Sequence, residues 1–147
     1  MSETTPYPQT HGGCQCGAVR FTLSAGPARG GICHCRMCQR ATGNAFAPLL
    51  LIPGDRVKWY GAQPREWASS NISWRGFCAE CGTPLYLRSD DEFEFMAGCL
   101  HPDTPFVPLD QGGVEARLGW LEQLNGLPAH DTLPELVARV TSHQAPE

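Results

Sequence analysis

Apolar residues recur along this chain in short runs of period two, cut apart by glycine and proline. Val19, Phe21 and Leu23 alternate with polar neighbours after Gly17, the pattern of a strand with one buried face. Phe46 to Ile52 is a continuous apolar run closed by Pro53-Gly54, which predicts a buried strand. Val57 and Trp59, followed by a turn at Gly61, predict a hairpin into residues 65–69. Ile72, Trp74 and Gly76 share one side of a strand over 71–77, and residues 83–88 and 92–97 predict a further pair around Ser89-Asp90-Asp91. Gly26-Pro27 and Gly30-Gly31 read as chain breaks, since glycine and proline punctuate regular structure. Residues 98–113 read as a loop and Val114–Leu118 as a last strand. Helical spacing occurs twice. Arg36 to Thr42 forms one helical turn ended by Gly43; Leu133, Leu136, Val137 and Val140 form a second, with Thr132 as N-cap and Pro134 in the first turn.

Strands this short, spaced at about ten residues, predict a mainly β fold, a sandwich or folded sheet, with one short C-terminal helix. Residues 1–10 are polar and contain two prolines, so a flexible arm is expected there, followed by a single domain over 11–141 and a tail over 142–147.

Composition narrows the function. With 147 residues, 41% apolar and 18% charged, the chain suits one folded domain. Gly 16 and Pro 13 favour a turn-rich β protein over a helix bundle. The formal charge is -4, and two Zn²⁺ on seven thiolates would take it to about -7. Such acidity argues against nucleic-acid binding, which needs a basic surface. No run is long and apolar enough to cross a membrane as a helix, and the first residues lack a basic and apolar leader pattern. A reducing, cytoplasmic location is therefore expected. Nothing in the pattern sets an oligomeric state.

The cysteines carry the chemistry. Cys33, Cys35 and Cys38 are spaced C-x-C-x-x-C, which lets a bent chain aim three sulfurs at one tetrahedral ion, zinc above all. A disulfide fits poorly, because a C-x-C pair closes too small a ring. Three ligands leave one position open, as in reactive zinc sites. Cys14 and Cys16 with Cys78 and Cys81 make a second set of four, the closed arrangement of a structural zinc. Two zinc ions per chain are expected.

Together, Gly13-Cys14-Gln15-Cys16-Gly17, the stretch from Cys33 to Gly43, and Arg75-Gly76-Phe77-Cys78-Ala79-Glu80-Cys81-Gly82-Thr83-Pro84-Leu85-Tyr86 resemble the glutathione-dependent formaldehyde-activating (Gfa) family, which includes centromere protein V-like proteins. Ser69-Ser70, Ala97-Gly98, Leu100, Trp120 and Gly126-Leu127-Pro128 extend the likeness over roughly residues 11–130. The resemblance implies a β-tent fold of small antiparallel sheets around the zinc sites. It also implies a structural zinc on Cys14, Cys16, Cys78 and Cys81 and a reactive one on Cys33, Cys35 and Cys38. One segment departs from the family pattern: Cys99 stands in place of a small hydroxyl residue and His101 in place of the first of two acids.

Three thiolates weaken zinc as a Lewis acid, so an incoming thiol suits the open position better than hydroxide does. The resemblance names the reaction: glutathione and formaldehyde combine to S-(hydroxymethyl)glutathione, a carbon–sulfur lyase type of chemistry with Cys33, Cys35 and Cys38 at its centre. Arg36 and Arg40, at i and i+4, are either glutathione-carboxylate partners or solvated charges. Arg75, beside a cysteine knuckle, is a further cation with a structural reading. Cys99 is either a fourth ligand or a buried free cysteine, and His34 points away from the metal of its neighbours. The four tryptophans read as core and hairpin packing. Two other functions stay open, a non-catalytic thiol carrier and a structural zinc-binding interaction module.

Overall fold

The computed structural model describes residues 3–147. Its strands are β1 (Thr5–Tyr7), β2 (Thr10–Gly13), β3 (Val19–Leu23), β4 (Gly26–Cys33), β5 (Ala47–Pro53), β6 (Val57–Gly61), β7 (Arg65–Ala68), β8 (Trp74–Phe77), β9 (Pro84–Ser89), β10 (Glu92–Met96) and β11 (Pro108–Gly112). Helix α1 (Arg36–Thr42) joins β4 to β5, and α2 (Pro134–Arg139) lies near the C-terminus. The expected class holds: small, almost wholly antiparallel sheets dominate, and two cysteine clusters are embedded in them.

One sheet has eight strands in the order β1-β4-β5-β10-β9-β8-β7, with β11 paired to β4; the other has three, β2-β3-β6. The smaller sheet lies against one face of the larger. Val19, Phe21 and Leu23 of β3 meet Leu50 and Ile52 of β5, Tyr86 of β9 and Phe95 of β10, all at most 4% exposed. Phe21 packs its ring 4.5 Å from Phe95, and Trp59 closes the layer 5.6 Å from both Phe21 and Tyr86. Since strand side chains alternate between faces, Leu49, Leu51, Glu94 and Met96 face away from this core. The smaller cysteine cluster lies on that opposite face.

Several expectations need correction. The arm over residues 1–10 is structured from Thr5: β1 pairs with β4, Tyr7 is 4% exposed, and its hydroxyl accepts from the Val107 N–H at 2.9 Å. Met1 and Ser2 lie outside the described residues. Gly26-Pro27 and Gly30-Gly31 do not break the chain but sit within β4. Glycine is needed there for approach, since a Cβ on Gly30 would lie 2.3 Å from the Val107 carbonyl oxygen. That closeness lets β11 run parallel to β4 inside the stretch read as a loop. β6 and β7 form no hairpin with each other; after Gly61, at φ 68°, the chain leaves the small sheet and joins the large one beside β8. Residues 114–116 form a 3₁₀ turn rather than a strand. Helix α2 is present, but its N-cap is Leu133, with no side-chain cap, and Leu133, Leu136, Val137 and Val140 stay exposed. The tail folds back: Ala145 N–H donates to the Gln15 carbonyl at 2.8 Å.

Candidate metal centres

Two knuckles build the larger cluster. Gly17, at φ 84°, turns the chain after Cys16, and Gly82, at φ 78°, does so after Cys81, a backbone region that glycine enters without strain. The Val19 N–H points at Cys14 Sγ at 3.3 Å, and the Thr83 hydroxyl ties the knuckles by accepting from Gln15 N–H at 3.1 Å while lying 3.1 Å from Cys81 Sγ. The sulfurs of Cys14, Cys16, Cys78 and Cys81 lie within 4.8 Å of one another. Cys14–Cys16 and Cys16–Cys78 are separated by 3.6 and 3.8 Å. A tetrahedral ion with bonds of about 2.3 Å needs sulfurs about 3.8 Å apart, so this set fits a metal ion without rearrangement.

The smaller cluster gathers Cys33, Cys35 and Cys38, whose sulfurs also lie within 4.8 Å of one another. Cys33 ends β4. Cys35 is the N-cap of α1, its sulfur accepting from the Cys38 N–H at 3.4 Å, and Cys38 is inside the helix, 2% exposed. Gly43, at φ 63°, ends the helix as the sequence predicts. Gly113, at φ 64°, fits against Cys35, where a Cβ would lie 2.7 Å from the Cys35 nitrogen.

Arg75 is 9% exposed, and its Nη2 donates to Cys38 Sγ at 3.5 Å while Nε donates to Ser69 Oγ at 2.9 Å. Nη1 is buried without a hydrogen-bond partner. Burial pushes the Cys33 thiol up to about 12, with Cys35 and Cys38 adding to it. Burial also raises Cys38, although Arg75 opposes this. Cys35 is lowered: burial works against ionisation there, but the Cys38 N–H and the other two thiols outweigh it. Two of the three thiols are thus held toward the neutral form by burial, and a divalent cation among the sulfurs would favour their ionisation. The donor set fits one.

Two clefts flank this cluster. One, of about 320 Å³, is lined by Cys33, Arg29, Leu49, Leu51, Glu94 and Asp110. Arg29 makes a two-point ion pair with Asp110, at 3.2 and 2.8 Å. Burial raises the Glu94 carboxyl above the usual range, Glu92 adds to this, and Arg75 partly offsets it. The other cleft, of about 360 Å³, lies beyond Arg75 and is walled by Trp67, Phe77, Pro84, Tyr86 and Met96. Met96 also packs against the cysteines, so it separates the cleft from them by one side chain.

The remaining sequence candidates fall elsewhere. Arg36 and Arg40 are on the exposed side of α1; Arg36 donates to Gln39 Oε1 at 3.2 Å, and neither arginine lines the two clefts. His34 is 2% exposed and joined to Gln111 at 2.8 Å, away from the sulfurs. Cys99 belongs to neither sulfur group: its thiol donates to the Pro84 carbonyl at 3.0 Å, and burial, with Cys14 and Cys81, pushes it up to about 12. His101 lies against His11, ring centroids 4.6 Å apart and tilted by 49°, and lines neither cleft.

With this geometry in view, comparison with known proteins is decisive on one point. The sequence model described as "Glutathione-dependent formaldehyde-activating enzyme" matches residues 9–109. The chain belongs to this family. All seven clustered cysteines fall inside the Gfa match. A Halomonas elongata protein is 29% identical over 108 residues, covering 66% of this chain and 69% of its own length. A Podospora anserina protein is 31% identical over 84 residues, 56% of this chain, and the match spans 39% of its length. Both carry the name "Putative glutathione-dependent formaldehyde-activating enzyme". A crystal structure of a Rhodobacter sphaeroides protein superposes with a TM-score of 0.56 at 18% identity, over 69% of this chain and 98% of that one, which shows a shared fold.

In the sequence Arg75 reads as a cation beside the knuckle with a structural alternative, and in the structure it reaches the three-cysteine centre of the Gfa framework. A signal was present. Alternation placed Trp74 and Gly76 on one side of their strand, which leaves Arg75 facing the other, where the three cysteines are. Glu94 and Trp67 carried no comparable signal, because their partners come from distant strands. Trp59 is in the core as expected, whereas Trp67 and Trp120 are 64% and 50% exposed.

Proposed function

We propose that this chain holds two zinc ions, takes glutathione or a related thiol at the three-cysteine centre, and forms or handles that thiol's S-hydroxymethyl adduct with formaldehyde. This is carbon–sulfur lyase chemistry in which the thiol sulfur joins the carbonyl carbon and the thiol proton ends on the carbonyl oxygen. The observation that carries the reading is the contrast between the clusters. Cys14, Cys16, Cys78 and Cys81 gather four sulfurs, enough to close a tetrahedral site, whereas Cys33, Cys35 and Cys38 gather three, and Cys33 borders a cleft.

Zinc, when bound, supplies the positive charge that favours the thiolate form of an incoming thiol at neutral pH. The protein's own residues position the reactants. Arg75 fixes Cys38 and brings a buried positive charge to the centre. Arg29, Asp110 and Glu94 place charges of both signs around Leu49 and Leu51, a lining suited to a peptide thiol with two carboxylates and an ammonium. At about 320 Å³ the cleft is at the lower end of small-ligand sites. Arg36 and Arg40, exposed on α1 and outside both clefts, would meet only the solvent-facing end of such a thiol. Eight free cysteines suit a reducing, cytoplasmic setting.

The test is the exchange rate between glutathione, formaldehyde and their adduct, followed by magnetisation-transfer NMR on the zinc-loaded protein. Exchange faster than the uncatalysed rate, lost in Cys35→Ser with an unchanged fold, supports the reading. Thiol binding without acceleration replaces it with a carrier, and neither binding nor acceleration leaves a structural module.

A further inference from the structure

Formaldehyde carries no substituent, yet the apolar cleft beside Arg75 measures about 360 Å³. Its walls are unusually free of competing polar groups. The Tyr86 hydroxyl is already engaged, donating to Glu66 Oε1 at 3.0 Å. Trp67 is 64% exposed on β7, an edge strand, and among the described residues none of the ring pairs includes it. Gly76, across from Tyr86 in β9, has no room for a Cβ, so the ring lies flat over the backbone.

A second, independent observation points toward a ligand. Arg75 is 9% exposed, lines this cleft and touches Cys38, yet its Nη1 has no partner. Leaving a buried donor unsatisfied is unfavourable, and a guanidinium beside a reacting carbonyl stabilises the negative charge that develops on oxygen. The cleft therefore joins an apolar wall to a cation that touches the thiol centre, with Met96 the one side chain between cleft and sulfurs.

We propose that this cleft receives the organic substituent of an aldehyde, so that the electrophiles of this protein include aldehydes with an aromatic or branched apolar group, their oxygen directed to Arg75. The inference rests on the thiol–carbonyl reading above. The step balances without an oxidant: the thiol sulfur bonds to the aldehyde carbon, the carbonyl π pair moves to oxygen, and the proton given up by the thiol ends there, yielding a hemithioacetal.

The experiment compares phenylacetaldehyde with formaldehyde at fixed glutathione, using exchange NMR on the zinc-loaded full chain. Acceleration with phenylacetaldehyde is expected, and Trp67→Ala lowers the ratio of kcat/KM for phenylacetaldehyde to that for formaldehyde about tenfold, an effect within the range of removing an aromatic contact. A second readout needs no turnover. The unreactive alcohol 2-phenylethanol shifts the Trp67 indole N–H resonance, assigned by its loss in Trp67→Phe. Acceleration confined to formaldehyde, with a still indole resonance, overturns the inference and leaves the proposed function standing. An unchanged ratio in Trp67→Ala, with no shift, overturns the assignment of the cleft. Acceleration of neither aldehyde removes the reading beneath it, and the inference falls too.

Discussion

Replacing Arg75 by Met probes the link between sheet and metal centre. The substitution keeps most of the apolar stem and removes the guanidinium, so the loss reflects charge and hydrogen bonding more than a cavity. In the folded chain Arg75 is 9% exposed, and its guanidinium donates to Cys38 Sγ at 3.5 Å and to Ser69 Oγ at 2.9 Å. A hydrogen bond involving a charged group contributes about 1.5–3 kcal/mol, and loss of a group that supports a metal ligand costs about 10–100-fold in metal affinity. The two figures agree, since 1.4 kcal/mol is about tenfold. Arg75 also opposes the burial that raises the Cys38 thiol, so its removal makes the thiolate harder to form. Competition with a chromogenic chelator, followed to stoichiometric metal release, reads both centres in one sample. Arg75→Met should weaken one zinc equivalent about 10–100-fold and leave the equivalent on Cys14, Cys16, Cys78 and Cys81 unchanged. Equal weakening of both equivalents, or no weakening of either, would refute this reasoning.

Three further outcomes follow from the packing and the charges. Gly76→Ala places a Cβ 2.1 Å from the Tyr86 ring and should destabilise the fold by about 1–3 kcal/mol, measured by urea unfolding; a neutral effect would contradict the close approach of β8 and β9. Phe95→Ala removes a ring at 0% exposure that touches Phe21, Trp59 and Tyr86, with an expected loss of about 3–5 kcal/mol in the same assay; a loss below 1 kcal/mol would place the core elsewhere. Glu94→Gln addresses pH: burial, with Glu92, raises the folded-state pKa of Glu94, and Arg75 opposes the rise. The folded state then holds the proton more tightly than the unfolded state, so this group's contribution declines as pH rises from the unfolded carboxyl value through the raised folded one. Glu94→Gln should therefore gain stability relative to the parent across that window, and an unchanged difference from pH 4 to 8 would show that Glu94 is not perturbed.

Local rules made much of this structure legible. The alternation of Val19, Phe21 and Leu23 fits β3 because only one face of that strand is buried. The capped turn from Arg36 to Gly43 was equally readable, since left-handed glycine ends a helix wherever it occurs. Cysteine spacing separated the two sulfur sets before any contact was known, and the structure gathers the same seven residues. What stayed hidden depends on partners remote in sequence. β4 carries three glycines that read as breaks; two of them, Gly30 and Gly31, sit where β11 lies close alongside. β1 forms because β4 has a free edge to pair with, which no property of residues 5–7 announces. The helical spacing near residue 136 correctly indicated a helix but not its exposure, because periodicity reports a face and not what covers it.

The open three-cysteine centre is tested most directly by glutathione titration of the cobalt-substituted protein, followed by visible absorption. Cobalt reports coordination where zinc is silent. The geometry predicts a saturable change in the ligand-field and thiolate charge-transfer bands with one equivalent of glutathione, absent in Cys35→Ser, while the bands of the four-cysteine centre persist. A spectrum unchanged at millimolar glutathione would mean that the centre takes no fourth thiol, and the formaldehyde reading would then be wrong.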